Sequence, residues 1–336
     1  MCDNNVDIQE NGILDLSPEV LEILLIDHTK NQHSEISEKN IIWATDMYEA
    51  EHGSKDYSFF APIKPELITG ENGNVIRPRV AKSIEEQKLR IKQKAEVFTP
   101  TWVCNAQNNL IDEQWFGRKN VFNTENSDHT WTPNSEKITF PEGKTWKNYV
   151  SDVRLEITCG EAPYLVSRYD TTTGEPLVIE NRIGLLDRKL RVVSENTQLT
   201  GEWLKYAYSA LKSVYGYEWQ GDSLLIAREN ALYTFIDYHK QKFGTEPLLK
   251  SIKYATYIIS WNLWQMDGLK FVVPESCKSA AVPMQLSMFG QVAVQRKMCL
   301  GCLKNSYTGH SGIKCLVRDW KKPKDRQITE FCKLLK

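Results

Sequence analysis

Nowhere in its 336 residues does the chain hold the roughly 18 consecutive apolar side chains that a membrane-spanning helix needs, which argues against a helical membrane protein. It has no excess charge either. With 42 Lys and Arg against 43 Asp and Glu, nothing global draws it to nucleic acid or to an acidic membrane, so any nucleic-acid face must be local. Its 18 Gly and 13 Pro are too few for a collagen-like or linker-rich chain. Eight cysteines, spread from Cys2 to Cys332, are too sparse for a disulfide scaffold, and free thiols are expected. The start, MCDNNVDIQENG, lacks the basic region and apolar run of an export signal, so a soluble cytoplasmic protein is the expectation. Two nucleotide motifs are missing as well. Gly143-Lys144-Thr145 has the last triplet of a phosphate loop without the upstream strand or earlier glycine, and Gly-x-Gly-x-x-Gly does not occur.

What the chain does have is apolar material for a large core: 41% hydrophobic side chains, including 10 Trp, 14 Tyr and 11 Phe. Its charge is also unevenly placed. Residues 1–60 carry 13 acids against Lys30, Lys39 and Lys55, whereas 11 Lys and Arg face Asp319, Asp325 and Glu330 between Arg296 and Lys336. A phosphate-facing surface is therefore expected at the C-terminal end, where Lys314, Arg318, Lys321, Lys322, Lys324 and Arg326 interleave with Trp320. This divides the chain into an acidic N-terminal extension (1–75), a central domain (76–270) and a basic C-terminal region (271–336).

The central domain reads as alternating strands and helices. RLEIT at 154–158 is a short strand followed by the turn Cys159-Gly160-Glu161-Ala162-Pro163, and 202–214 shows helical spacing at Leu204, Ala207, Leu211 and Val214. A strand at 214–217 and a helix around 223–239 come next, and the apolar run 254–264 reads as an interior strand. Residues 121–150, rich in Asn, Thr, Pro and Gly, read as an irregular excursion pinned by Trp131, Phe140, Trp146 and Tyr149. The pattern points to an α/β fold with an open, mostly parallel sheet, whose ligands would sit beyond the carboxyl ends of its strands. There Gly160 lets backbone approach a ligand, and Glu218, just past Tyr215-Gly216-Tyr217, offers a carboxylate able to accept both hydroxyls of a ribose.

These segments carry a resemblance. Lys94-Ala95-Glu96-Val97-Phe98-Thr99-Pro100 resembles the EVFTP motif of gamma-class adenine-specific DNA methyltransferases, and Leu155-Glu156-Ile157-Thr158-Cys159-Gly160-Glu161-Ala162-Pro163 resembles their first cofactor loop. Tyr215-Gly216-Tyr217-Glu218 with Ile226-Ala227-Arg228-Glu229-Asn230 resembles their second motif. More narrowly, Arg79 to about Leu269 is similar to small prokaryotic proteins labelled restriction endonuclease subunit M, through RVxK, KAEVFTP, LEITCGEAPYLVSRYDTTTGE and SWNLWQMDG.

The resemblance implies a Rossmann-like S-adenosylmethionine-dependent methyltransferase acting on adenine N6 in DNA, in a restriction-modification or defence setting. By implication Phe98, Thr99 and Pro100 contact the methionine portion, Glu156 orders donors around the cofactor, Cys159 and Gly160 line its pocket, and Glu218 holds the ribose. Asp237 is a candidate for the adenine ring, a surface helix acid being at least as good a reading. The family's Asn-Pro-Pro-aromatic motif corresponds to Asn262, Leu263, Trp264 and Gln265: Asn262 and the carbonyl of Leu263 as acceptors for the base amine, Trp261 or Trp264 as a stacking surface. Both prolines are missing, which leaves open a variant active loop, a catalytic centre elsewhere, or a cofactor-binding protein that does not methylate DNA. An RNA, nucleotide or modified-base acceptor is a further alternative, and so is a non-catalytic interaction subunit.

Two further groups complete the reading. Arg168 and Asp170 form a candidate substrate-facing pair with Asp187 and Arg188 nearby, though a salt-bridged turn is the commoner explanation, and the long interval to Glu218, including Glu180 to Val193, has room for an inserted specificity segment. Cys299-x-x-Cys302 with Cys315, and His310 or Cys277 available, raises zinc; without a second Cys-x-x-Cys the thiols are taken as free and no metal is assigned. The partners expected are DNA, a restriction or specificity subunit, or a second copy of the chain, and no membrane.

Overall fold

The acidic start folds into helices that join the main core. α1 (Glu10–Leu16) is followed by α2 (Pro18–Leu25), where Pro18 occupies a first-turn position that needs no N–H donor and Val20, Leu21, Leu24 and Leu25 form the buried face. Asp27 caps α3 (His28–Asn31) by accepting the N–H of Thr29 at 2.9 Å, and α4 (Met47–His52) ends at Gly53 with φ 66°. Ile13, Leu21, Ile41 and Trp43 share one buried cluster with Leu186 and Phe235, so this stretch is part of the core. The computed structural model describes residues 10–94, 99–278, 281–282, 295–296 and 299–335. No helix among them is long and apolar enough to cross a membrane.

After α5 (Ile84–Lys94) and α6 (Thr101–Phe116), the hairpin β1 (Asn123–Glu125) and β2 (Trp131–Pro133) leads to α7 (Trp146–Val150), whose start is a reciprocal Thr145–Asn148 cap. Tyr149 packs with Trp115, Phe116 and Phe122, which pins the irregular stretch as the aromatic content suggested. The central sheet then forms from β3 (Arg154–Glu156), β4 (Val214–Glu218) and β5 (Leu263–Gln265), all parallel. Helices α8 (Leu185–Asn196) and α9 (Thr200–Leu211) connect β3 to β4; α10 (Gly221–Phe243) and α11 (Leu249–Asn262) connect β4 to β5. Beyond them lie the two-residue pair β6 (Ala281–Val282) and β7 (Gln295–Arg296), then α12 (Leu300–Leu303), and the antiparallel pair β8 (Leu316–Arg318) and β9 (Ile328–Glu330).

The fold is therefore mixed α/β, with twelve helices and small sheets among the described residues. The open, mostly parallel Rossmann-like sheet expected from the sequence is not formed there. In such a sheet the first strand is interior and the order reverses beside it, opening a crevice. Here the order is β3-β4-β5, sequential, with β3 at an edge and Leu155 and Ile157 exposed. The apolar run read as a strand is mostly α11: Ile252, Ala255, Ile258 and Ile259 are buried at helical spacing, and the strand covers only Leu263–Gln265. Likewise, the supposed specificity segment contains α8, whose Leu186, Leu190, Val192 and Val193 are fully buried.

Sequential parallel strands joined by right-handed crossovers place both helix pairs on one face of a sheet. On that face Val214 and Leu263 pack with Leu211, Leu224 and Ile259. The opposite face presents Tyr215, Tyr217 and Trp264, which pack with Cys315, Val317 and Phe331 from the C-terminal region. Tyr215 donates its hydroxyl to the carbonyl of Arg318 at 2.9 Å, fastening this cover to the sheet. Arg228, buried on α10, ties the helical side together. Its guanidinium donates to the carbonyls of Leu24 and Ile26 at the end of α2, and to Ser260 and Leu263 at the end of α11. Those carbonyls lack helical partners, and the positive charge meets the negative ends of both helix dipoles.

Candidate functional site at the strand ends

Three of the segments that resemblance links to a cofactor converge where β3 and β4 end. Glu218, the last residue of β4, accepts the N–H of Gly160 at 2.9 Å and of Gln220 at 3.2 Å. Glu156, the last residue of β3, accepts the N–H groups of Tyr164 and Leu165 at 3.3 and 3.2 Å. Burial pushes Glu156 up to about 8, against the pull of those two N–H donors, and burial also raises Glu218, opposed chiefly by the Gly160 N–H. The loop between them is strained: Thr158, Gly160 and Ala162 all have positive φ, at 46°, 55° and 62°. Only Gly160 adopts this region without penalty, and such strain concentrates at functional sites.

The described end of the EVFTP segment reaches the same loop. The carbonyl of Thr99 accepts the Thr171 hydroxyl at 3.0 Å, Thr101 accepts the Thr171 N–H at 3.2 Å, and Pro100 caps α6. From α6, Asn108 donates to the carbonyls of Tyr164 and Ile183 at 3.0 and 3.1 Å. Phe98 lies outside the described residues. Cys159 packs its side chain on Gly216, and burial pushes its thiol well above the ordinary range, so it behaves as a small apolar group. In the first turn of α10, Arg90, Lys82 and the Tyr48 hydroxyl all meet Asp222, with Arg90 at 2.6 Å. Burial would raise Asp222, but Arg90 and then Lys82 hold it well below the carboxylate range.

The four residues expected at the reacting base are elsewhere and engaged. Asn262 sits at the amino end of β5, the opposite end of the sheet from Glu218. Its amide donates to the carbonyls of Leu211 and Val214, both at 2.9 Å, and accepts the Trp320 indole N–H at 2.7 Å. The Leu263 carbonyl is taken by Arg228. Trp261 stacks on His28 at 4.1 Å between ring centres, and Trp264 is covered by Phe331. Asn262→Ala is accordingly expected to lower stability by roughly 2 kcal/mol, from orphaned buried groups, and a lowered urea midpoint checks this.

Asp237 does not approach the strand ends. It pairs with Arg168 at 3.0 Å and Arg182 at 2.8 Å, so two of the sequence candidates neutralise each other. Arg188 pairs instead with Asp112 at 2.5 Å and reaches Asn105 and Asn109, while Asp187 accepts the N–H of Ser167 at 2.9 Å. Of the proposed phosphate contacts, Arg318 is spent on packing: it lies over the Trp320 ring at 4.3 Å and donates to Gln327. Lys314 is exposed, 3.5 Å from Glu330. Lys321, Lys322, Lys324 and Arg326 form an exposed turn between β8 and β9, where the ion pairs Lys322–Asp319 and Arg326–Asp325 are worth little in water.

Two other features belong to the map. A groove of about 410 Å³ lies along α8 and α10, lined by Pro133, Ile179, Arg191, Tyr238 and Gln241 among others, and shares no residue with the strand-end loops. In the C-terminal region Cys277, Cys299, Cys302 and His310 converge, a set whose first member the sequence signalled only weakly because it lies far upstream of the Cys-x-x-Cys pair. Cys315 is not part of it: it is fully buried and donates its thiol to the Gln265 carbonyl. Compared with known proteins, the chain matches no family model, no curated protein and no solved structure.

Proposed function

We propose that the chain holds S-adenosylmethionine where β3 and β4 end, and serves methyl transfer to the N6 amine of adenine in DNA within a restriction-modification or defence setting. One observation carries the reading: the Gly160 N–H to Glu218 contact of 2.9 Å sets an acid, of the type that accepts two ribose hydroxyls, beside a glycine loop at the strand ends. Thr99 supports it by accepting the Thr171 hydroxyl on the continuation of that loop, beside Thr101, which accepts the Thr171 N–H. Direct transfer requires alignment, stabilisation of the leaving cofactor and loss of a proton from the amine; it requires no nucleophilic thiol, in keeping with the buried Cys159. The acceptors for the amine must come from groups other than Asn262 and Leu263. The exposed turn around Lys321, Lys322, Lys324 and Arg326 would contact phosphates without reading bases.

A second reading is favoured by the engaged amide of Asn262: the chain binds cofactor and DNA as a subunit beside a restriction or specificity partner and transfers no methyl itself. One pair of measurements separates the readings. S-adenosylmethionine titrated into the wild type should bind, and Glu218→Gln should weaken it about tenfold, the effect of losing one charge-assisted hydrogen bond. Labelled methyl transfer is then followed on duplex DNA, single strands, RNA and nucleotides. Product on duplex DNA supports the first reading; product only on another acceptor reassigns the substrate; binding without product selects the second; a wild type with no affinity ends both.

A further inference from the structure

Three thiols and one imidazole meet at a point that the methyl-transfer reading does not use. The Nδ1 atom of His310 lies 3.7 Å from the sulfur of Cys277, 3.5 Å from that of Cys299 and 3.6 Å from that of Cys302. All four donor atoms fall within 4.8 Å of one another. A zinc ion with Zn–S bonds of about 2.3 Å and a Zn–N bond of about 2.0 Å, in tetrahedral geometry, requires S···N separations of about 3.5 Å. All three observed distances lie close to that value. A disulfide would join two of the sulfurs and leave the third with the histidine, and a nucleophilic pair would need one cysteine; neither accounts for three sulfurs equidistant from a single nitrogen.

The surroundings are built for a metal ligand set. Nε2 of His310 donates to the carbonyl of Ser306 at 2.6 Å, which leaves the Nδ1 lone pair directed at the thiols, the usual way a ligating imidazole is oriented. The N–H of Ser311 points at the Cys299 sulfur at 3.2 Å, a contact that stabilises a thiolate. Gly301, inside the Cys299-x-x-Cys302 turn, lies against the imidazole: a methyl group there would come within 2.7 Å of Nδ1. Four protein donors suffice to fill the coordination of a tetrahedral zinc and leave no open position, so the site is structural rather than catalytic.

We propose that Cys277, Cys299, Cys302 and His310 bind one zinc ion, which clasps the segment after β5 to the segment that precedes β8. The softness of three thiolates and the tetrahedral geometry favour zinc over magnesium or calcium, which take oxygen ligands. The two segments are already in register, with the N–H of Val273 donating to Ile313 at 2.8 Å and Ile313 donating to the Ser276 hydroxyl at 3.0 Å. The ion thus holds in place the strands that cover the sheet beside Tyr217 and Trp264. This assignment is independent of the cofactor site.

The test uses the full chain expressed with zinc and purified without chelator. Elemental analysis should return one zinc per chain, and Cys315→Ser should retain it, whereas Cys299→Ser and His310→Ala should lose it. Because the ligand variants are also exposed to misfolding, cobalt is exchanged into the wild type. A tetrahedral thiolate site then gives intense visible d–d bands and sulfur-to-cobalt charge transfer. A wild-type chain that is folded by circular dichroism yet holds no zinc and gives no such spectrum overturns the proposal. So does Cys299→Ser with undiminished zinc, or a thiol titration showing that two of the three cysteines are joined in a disulfide.

Discussion

Arg228→Met should cost the fold roughly 5 kcal/mol, enough to leave much of the chain unfolded or insoluble, because net stability is only about 5–15 kcal/mol for a domain. The side chain is fully buried and its hydrogen-bond partners are main-chain carbonyls at the ends of α2 and α11. A methionine fills similar space yet leaves those carbonyls without donors in an apolar interior. Arg228→Lys should fail nearly as badly, since an ammonium cannot span two helix ends as a planar guanidinium does. The measurement is the urea midpoint of whatever soluble protein is recovered. A midpoint equal to that of the wild type would mean that the clamp contributes nothing. Residues that resemblance placed in the second cofactor motif thus act differently: Arg228 joins helices, and Asn230 donates to the carbonyl of Glu161 and the hydroxyl of Tyr169.

The neighbouring Glu229 should produce the opposite outcome. It is fully buried, and neither carboxylate oxygen has a hydrogen-bond partner among the described residues. Burial, and then the charge of Glu10, push its carboxyl well above the ordinary range, while burial lifts Glu10 to about 8. Both carboxyls are raised, so below about pH 4.5 both folded and unfolded chains hold the protons and the contribution to stability is whole. Between there and about pH 8 the folded chain binds more protons than the unfolded one, and stability falls as pH rises through the Glu10 value. Glu229→Met removes one acid of the pair. Its advantage over the wild type should grow from little near pH 5 to a few kcal/mol near pH 8, because each tenfold difference in proton affinity between the folded and unfolded chains is worth about 1.4 kcal/mol. Denaturant titrations across that range would detect it, and an advantage independent of pH would refute the pairing.

Much of the central domain is legible in the sequence, for definite reasons. The helix over 202–214 and the helix around 223–239 have polar gaps at helical spacing, and they correspond to α9 and α10. The strand ends at Glu156 and Glu218 are marked by Gly-containing turns and short β-rich runs. In the apolar run before Asn262 the polar gaps are only the small, buried Thr256 and Ser260, too weak to reveal its period, so helix and strand look alike there, and this misplaces the expected catalytic loop from core to strand end. Strand order is invisible because it depends on which way each crossover travels, not on any residue. The partners of Arg168 and Arg188 are likewise distant in sequence: Asp237 and Asp112, not the nearby Asp170 and Asp187. At the cysteine cluster Cys-x-x-Cys is readable, but choosing Cys277 over Cys315 depends on which thiol the fold turns toward His310 and which it turns into the core.

The sequential strand order has a further consequence during synthesis. Tyr217 and Trp264 belong to strands made well before the segment from Cys315 to Phe331 that conceals them. A ribosome still translating that stretch therefore holds a nascent chain with an aromatic sheet surface open to solvent, a natural target for chaperones. Completion of the native state must await its emergence, and chains cut short before Phe331 should aggregate rather than persist as soluble fragments.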